Sequence, residues 1–344
     1  MGIVYAAEQL STGRRRALKV VRPELLRNES TRERFAREAS ISAAIESDHV
    51  VEVVSAGTDP SGTVWLAMEL LSGESLASAL KREGRFELER AAIVLNQIGD
   101  ALGAAHRAGV VHRDLKPDNI FLTRPRRRDI DVTVKVLDFG IAKWADRSIR
   151  GTTDPIGSPY WMAPEQAEAG APITARTDVW AFGLLAFRVL TGRIYWRCAK
   201  DPRPSLPAFL QELLLGPMSL ASTRSAELGG APLPSGFDDW FARCVHRRPE
   251  PRFPSGEIAS MELSSVLDGR RTPGGLDTSW RDMAPTPPWG VSYAEPRRVA
   301  PTEPMQPRTP TPQAKVAPTE PMDPTPVPQG RVAPTELMDP APVP

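Results

Sequence analysis

Val111-His112-Arg113-Asp114-Leu115-Lys116-Pro117-Asp118-Asn119-Ile120 sets six polar or charged residues between two apolar, strand-like flanks. A solvated loop accounts for that composition but not for Val111 before it or Ile120-Phe121-Leu122 after it, which read as core. Further on, Val132, Val134 and Val136 alternate as one buried strand face, and Asp138 continues their parity before Phe139-Gly140. A carboxylate ending a buried face needs a cation, and a divalent metal suits it. The plainer alternative is an aspartate in a strand-end turn.

Upstream, Ile3-Val4-Tyr5 and Ala17-Leu18-Lys19-Val20-Val21 flank Ser11-Thr12-Gly13 and read as a hairpin. Lys19 shares a face with Ala17 and Val21, which points it at an apolar surface. Ser30-Thr31-Arg32-Glu33 has capping-box spacing, and Phe35, Ala39, Ile41 and Ile45 recur at helical intervals, so a helix is expected over residues 31–46. Glu38 lies on its inward stripe. Lys19 and Glu38 are each costly to bury alone and tolerable as a pair. Residues 50–54 and 64–71 read as further strands, divided by Asp59-Pro60-Ser61-Gly62.

From Arg90 the pattern becomes helical: Val94, Leu95, Ile98, Leu102 and Ala105 recur every three or four positions and stop at Gly109. Residues 178–190 are apolar almost all round and end near Gly192, so that helix is expected to be buried on every side. Roughly half of the 36 prolines lie beyond Arg271, where Val-Ala-Pro-Thr-Glu recurs at Val299, Val316 and Val332. The repeat has no apolar face to stack, so residues 269–344 are read as a disordered tail.

The chain has 344 residues, with 43 basic against 42 acidic side chains, and this balance argues for neither a nucleic-acid nor a membrane partner. Two cysteines cannot build a disulfide framework, and His49, His106, His112 and His246 have no metal-ligand spacing. No run approaches the roughly 18 apolar residues of a membrane span. A cytoplasmic location is expected.

Taken in order, Ala17-Leu18-Lys19, Glu38, His112-Arg113-Asp114 through Asn119, Asp138-Phe139-Gly140, Ala163-Pro164-Glu165 and Asp178-Val179-Trp180-Ala181-Phe182-Gly183 resemble the motifs of a eukaryotic-type Ser/Thr protein kinase, of the kind also found in bacteria. The resemblance implies an α+β, two-lobed fold over residues 1–268: a small β lobe at 1–71 and a helical lobe at 72–268. It implies transfer of the γ-phosphoryl group of ATP, with Mg²⁺, to protein serine or threonine. Lys19 would hold the α- and β-phosphates, Glu38 would hold Lys19, Asp138 and Asn119 would bind the metal, and Asp114 would take the hydroxyl proton. Lys116 stands where Ser/Thr-directed members keep a lysine on the γ-phosphate. Met68, Glu69 and Leu71 would form the adenine hinge, with Ala17 and Val4 on the nucleotide and Glu74 on the ribose. Glu165 and Arg252 would form a structural ion pair. Arg113 before Asp114 implies switching by a phosphorylated segment, with Thr152 and Thr153 as acceptors, self-phosphorylation among the routes.

Two features depart from the pattern. Of the glycine-rich loop only the end is matched, by Gly2 and Val4, so the expected small lobe lacks its first strand and most of that loop. Either the start lies upstream or the chain is a weakened kinase, and a pseudokinase acting as a binding protein is the rival reading. The second is Arg124-Pro125-Arg126-Arg127-Arg128-Asp129, between Asn119 and Asp138, read as a solvated hairpin with substrate docking as the alternative.

Overall fold

The computed structural model describes residues 2–21, 45–59, 62–123, 132–139, 159–201 and 205–269. The chain divides into two units, Met1–Ala284 and Pro285–Pro344, the second wholly outside the described residues. Also outside them lie residues 31–44 of the expected helix with Glu38, the arginine-rich stretch 124–129, Thr152 and Thr153, and the repeats of the tail, while Ile45 and Glu46, the last residues of that expected helix, are described and not helical.

The first unit opens with the expected hairpin. Strand β1 (Gly2–Gln9) pairs antiparallel with β2 (Arg14–Val21), and the turn closes where the Thr12 and Gly13 amides donate to Gln9 O. Alternation along β2 buries Ala17, Lys19 and Val21 on one face. Strands β3 (Val53–Thr58) and β4 (Val64–Glu69) complete a sheet of order β1-β2-β4-β3. Val64, Leu66 and Met68 of β4 meet Ala17, Val21 and Val51 in a small core of their own. The strand expected from Val50 begins only at Val53, because Val50 and Val51 bond elsewhere: the Val51 amide donates to Val136 O at 3.0 Å and the Val136 amide to His49 O at 2.8 Å. That short connection, read from sequence as small-lobe strand, ties the first sheet to the second.

The second sheet has order β5-β6-β7, with β5 (Gly73–Ser75), β6 (Ile120–Thr123) and β7 (Thr133–Val136). Beneath it are the helices. Ser75 Oγ accepts from the Ser78 amide and starts α1 (Leu76–Glu83), which precedes the long α2 (Leu88–Arg107). After the short α3 (Pro164–Ala167) comes α4 (Ala175–Thr191), capped by Thr174 and stopped by Gly192 at φ 74°. Fourteen residues of α4 are buried, from Thr177 round to Thr191, as its apolar circumference requires. Helices α5 (Leu206–Leu214), α6 (Ala221–Leu228), α7 (Phe237–Cys244) and α8 (Gly256–Leu267) follow. Helix α2 packs on α8, α4 and β7, so the centre of the lobe is one continuous core.

The expected ion pair is present and buried. Arg252 Nη1 and Nη2 donate to Glu165 Oε1 and Oε2 at 2.7 and 2.8 Å. The same guanidinium also donates to the carbonyls of His246, Arg176 and Arg247 and lies over the Trp180 ring. It thereby clamps α3, α4 and the segment before α8 together. Burial, then the Glu212 carboxylate, pushes the Cys198 thiol up to about 12, and burial pushes Cys244 well above the ordinary range, which disfavours the nucleophilic thiolate at neutral pH.

Two outcomes are expected. Glu165→Ala strands the Arg252 charge and should cost about 3–5 kcal/mol in urea unfolding, whereas a loss below about 1 kcal/mol would show that the clamp is dispensable. Iodoacetamide at pH 8 should label Cys198 in the folded protein about 10²-fold or more slowly than a free thiol, read by mass spectrometry, with the rate rising only as pH approaches its raised value.

Candidate active site

The loop from Val111 to Asn119 is shaped by one carboxylate beneath it. Thr174 caps α4 and places Asp178 in the helix's first turn, where a negative charge meets the positive end of the helix. Asp178 is 1% exposed. Its Oδ2 accepts from the His112 amide at 2.7 Å and from His106 Nε2 at 2.9 Å, and its Oδ1 from the Arg113 amide at 2.8 Å. His106 Nδ1 accepts from the Gly256 amide, so its proton sits on Nε2 and is the one Asp178 receives. These bonds hold Arg113 at φ 67°, a left-handed conformation that costs a non-glycine residue about 1–3 kcal/mol. Gln166 Nε2 adds a bond to Arg113 O at 2.8 Å.

His112 works the same way. Its Nε2 donates to Leu137 O at 2.9 Å, which leaves Nδ1 to accept from the Asp114 amide at 3.2 Å. The ring leans on Phe139, centroids 4.7 Å apart. One imidazole therefore joins the Asp114 loop to the segment carrying Asp138.

Above it three polar side chains converge. Asp114 Oδ2 accepts from Lys116 Nζ at 2.7 Å and from Asn119 Nδ2 at 3.1 Å, while Asn119 Nδ2 also donates to Asp114 O at 2.8 Å. The amide nitrogen of Asn119 is thus committed, and its carbonyl oxygen is the end left for a cation. The Leu137 amide donates to Asn119 O at 2.8 Å, which brings Asn119 beside Asp138.

Asp138 has φ 58°, so it leaves the strand in a left-handed turn and does not extend the Val132-Val134-Val136 face as strand parity suggested; β7 ends at Val136. The cation it meets is Lys19, whose Nζ lies 2.5 Å from Oδ1. Lys19 is buried, and a buried ammonium needs such a partner.

The remaining expected residues lie on β1, β2, β4, the link after β4, and β5 of the second sheet. Met68, at the end of β4, is buried beside Ala17, and Leu71 packs on that core. Glu69 turns its side chain the other way: Oε1 accepts from the Glu52 amide at 2.9 Å and pairs with Lys135 at 2.7 Å. Glu74 pairs with Arg82. Gly2 and Val4 stand opposite Val21 and Lys19 in the β1–β2 ladder, with Val4 exposed.

The protein kinase domain family matches residues 1–262. The chain belongs to that family. A probable serine/threonine-protein kinase of Clostridium acetobutylicum is 33% identical over 266 residues, covering 77% of this chain and 38% of that protein. The serine/threonine-protein kinase PknA of Corynebacterium glutamicum is 32% identical over 305 residues, covering 87% and 61%. The chain therefore spans less than two thirds of either relative's length. The kinase domain of Mycobacterium tuberculosis PknI superposes with a TM-score of 0.58 at 24% identity, over 77% of this chain and 91% of that one, which establishes the two-lobed kinase fold. Family membership implies ATP as phosphoryl donor, a divalent metal and protein acceptors.

The kinase domain's residues fit a small hard cation. Asp138 supplies carboxylate oxygen and Asn119 an amide carbonyl, and Mg²⁺ takes few protein oxygens of this kind beside phosphate and water. No cluster of three or more acidic, histidine or cysteine ligands occurs among the described residues, so no all-protein metal cage is present there. No described helix is long and apolar enough to cross a membrane.

Asp178, His106 and Gln166 act on the site without having been picked from sequence as site residues. The signal for Asp178 was available: a charge at the start of a helix otherwise apolar on all sides. Asp178→Asn replaces one of two acceptor oxygens by a donor and confronts at least one buried N–H with another. The fold should lose about 1–3 kcal/mol in denaturant unfolding. An unchanged midpoint would mean that the loop holds its shape without this carboxylate.

Proposed function

We propose that the chain is an ATP-dependent protein kinase acting on serine and threonine, with Mg²⁺ as its metal. The observation that carries this is a pair of carboxylates, each held by its own lysine: Asp114 by Lys116 at 2.7 Å and Asp138 by Lys19 at 2.5 Å, with Asn119 between them. Phosphoryl transfer asks mainly for positioning and charge neutralisation, and this arrangement supplies both. The names of the relatives favour the same acceptor class.

In this reading Mg²⁺, when bound, neutralises charge on the phosphates. Asp138 and the Asn119 carbonyl hold it. Lys19 moves from Asp138 to the α- and β-phosphates, with Glu38 as its next partner. Ala17, Met68 and Leu71 receive the adenine, the backbone at Glu69 bonds its edge, Glu74 meets the ribose, and Gly2 and Val4 cover the phosphates. Asp114 accepts or orients the acceptor's hydroxyl proton, and Lys116 swings from Asp114 to the γ-phosphate as negative charge moves there. The hydroxyl oxygen bonds to the γ-phosphorus, the bond to the bridging oxygen breaks, and ADP leaves. Phosphate on Thr152 or Thr153 would pair with arginines near the loop, Arg113 among them, since a phosphothreonine carries about −1.5 to −2 charges.

Asp114→Asn and Asp138→Asn should each lower transfer from [γ-³²P]ATP to a generic protein acceptor by about 10² to 10⁴ with the thermal midpoint little changed. Transfer at the unsubstituted rate in either variant would remove that residue from its role. A chain inactive before substitution, with nucleotide still bound, would favour a binding protein over an enzyme.

A further inference from the structure

Three side chains hold the turn that carries Asp114, and each bonds its backbone at a different atom. Asp178 Oδ1 accepts from the Arg113 amide at 2.8 Å, His112 Nδ1 accepts from the Asp114 amide at 3.2 Å, and Gln166 Nε2 donates to Arg113 O at 2.8 Å. Arg113 O and the Asp114 amide belong to one planar peptide unit, so the last two bonds hold both of its polar ends. Gln166 does so from 53 residues away.

The other end of the Gln166 side chain is engaged as well. Gln166 is the third residue of α3, and its Oε1 accepts from the amide of Ala163, just before the helix, at 3.0 Å. A glutamate or glutamine at this position commonly closes a helix start in this way, so for capping alone a carboxylate would serve. Arg113 O excludes it. A main-chain carbonyl only accepts and a main-chain amide only donates, so the side chain between them has to offer a donor to one and an acceptor to the other. The primary amide of glutamine does both without charge.

Gln166 also reaches from a fixed base. The neighbouring Glu165 is held by both terminal nitrogens of Arg252 at 2.7 and 2.8 Å, and that guanidinium bonds Arg176 O in α4. The carbonyl it meets belongs to a residue at φ 67°, whose conformation the surroundings must impose.

We propose that Gln166 is a positioning residue for phosphoryl transfer: its amide sets the Arg113–Asp114 peptide plane from the side of Ala163-Pro164-Glu165, and with it the direction of the Asp114 carboxylate. This rests on the kinase reading of the Asp114 site. Rotation of that plane carries Asp114 away from Lys116 and Asn119, which now meet it at 2.7 and 3.1 Å. Misplacing a reacting group by about 1 Å can cost about 10²-fold in rate. Gln166 itself touches neither nucleotide nor acceptor in this reading, so its loss falls on turnover and spares nucleotide affinity.

The full chain is assayed with [γ-³²P]ATP, Mg²⁺ and a generic basic protein as acceptor, beside Gln166→Glu and Gln166→Met. The glutamate keeps an oxygen for the Ala163 amide but turns a second oxygen on Arg113 O. The methionine is close in length, offers neither group and adds no charge. Both variants should lose about tenfold or more in kcat, with KM for ATP and the Kd of a non-hydrolysable ATP analogue within about twofold of the unsubstituted chain. The thermal midpoint of Gln166→Glu should be little changed, since its cap is intact. A kcat within about twofold in both variants would overturn the proposal. So would a loss in Gln166→Met alone, which marks a helix cap and nothing more, or a loss in Gln166→Glu alone, which marks an effect of added charge. A KM for ATP that rises as far as kcat falls would also overturn it, as the sign of a site loosened throughout. In each of these outcomes the unsubstituted chain still transfers phosphate and the kinase reading stands. Absence of transfer by the unsubstituted chain would overturn both.

Discussion

The buried carboxylate of Asp178 is the constraint on which the site depends. A charge with 1% exposure is tolerable only where donors replace its water, and the His112 amide, the Arg113 amide and His106 Nε2 do so at the start of α4. Those bonds hold Arg113 in a conformation it would not adopt alone, and the turn that results carries Asp114 up beside Lys116 and Asn119. Helix α4 can serve as an anchor because nearly its whole circumference is packed, and the Arg252–Glu165 clamp fixes its first turn from the other side.

Among the described residues, three sets of polar bonds join the two sheets, beside the apolar packing of Leu137 on the core of the small sheet. Main-chain bonds from His49 and Val51 to Val136 dock the small sheet onto β7. Lys135 reaches from β7 to Glu69 and to Val50 O. Lys19 crosses to Asp138. Two of the three links meet β7 itself and the third meets Asp138, two residues beyond its end. Movement of the small sheet is thereby coupled to the carboxylate proposed to hold the metal, a reason to expect nucleotide binding and lobe geometry to be linked.

Much of this was legible in the chain. Period-two alternation placed Lys19 on the inner face of β2, helical spacing located α2 and α4, and ordered motifs named Asp114, Lys116, Asn119 and Asp138 before any geometry was known. Local pattern carries such information because side-chain direction follows directly from strand and helix periodicity. Where it misled, other bonds had taken over: Val50 and Val51 look like strand, but the Val50 amide donates to Ser47 O, Val50 O accepts from Lys135 Nζ and the Val51 amide donates to Val136 O, and Asp138 looks like the end of a strand face but turns left-handed after Val136.

The sequence by itself determined which residues could do chemistry and in what order they occur, since those choices rest on residue type and spacing. Only the tertiary structure decided which of them meet. That Lys19 bonds Asp138 across 119 residues, that one imidazole links Leu137 to Asp114, and that Asp178 lies beneath the loop 65 residues before it are facts of packing. Contacts between distant segments depend on how helices and sheets stack, and no window of neighbouring residues contains that information.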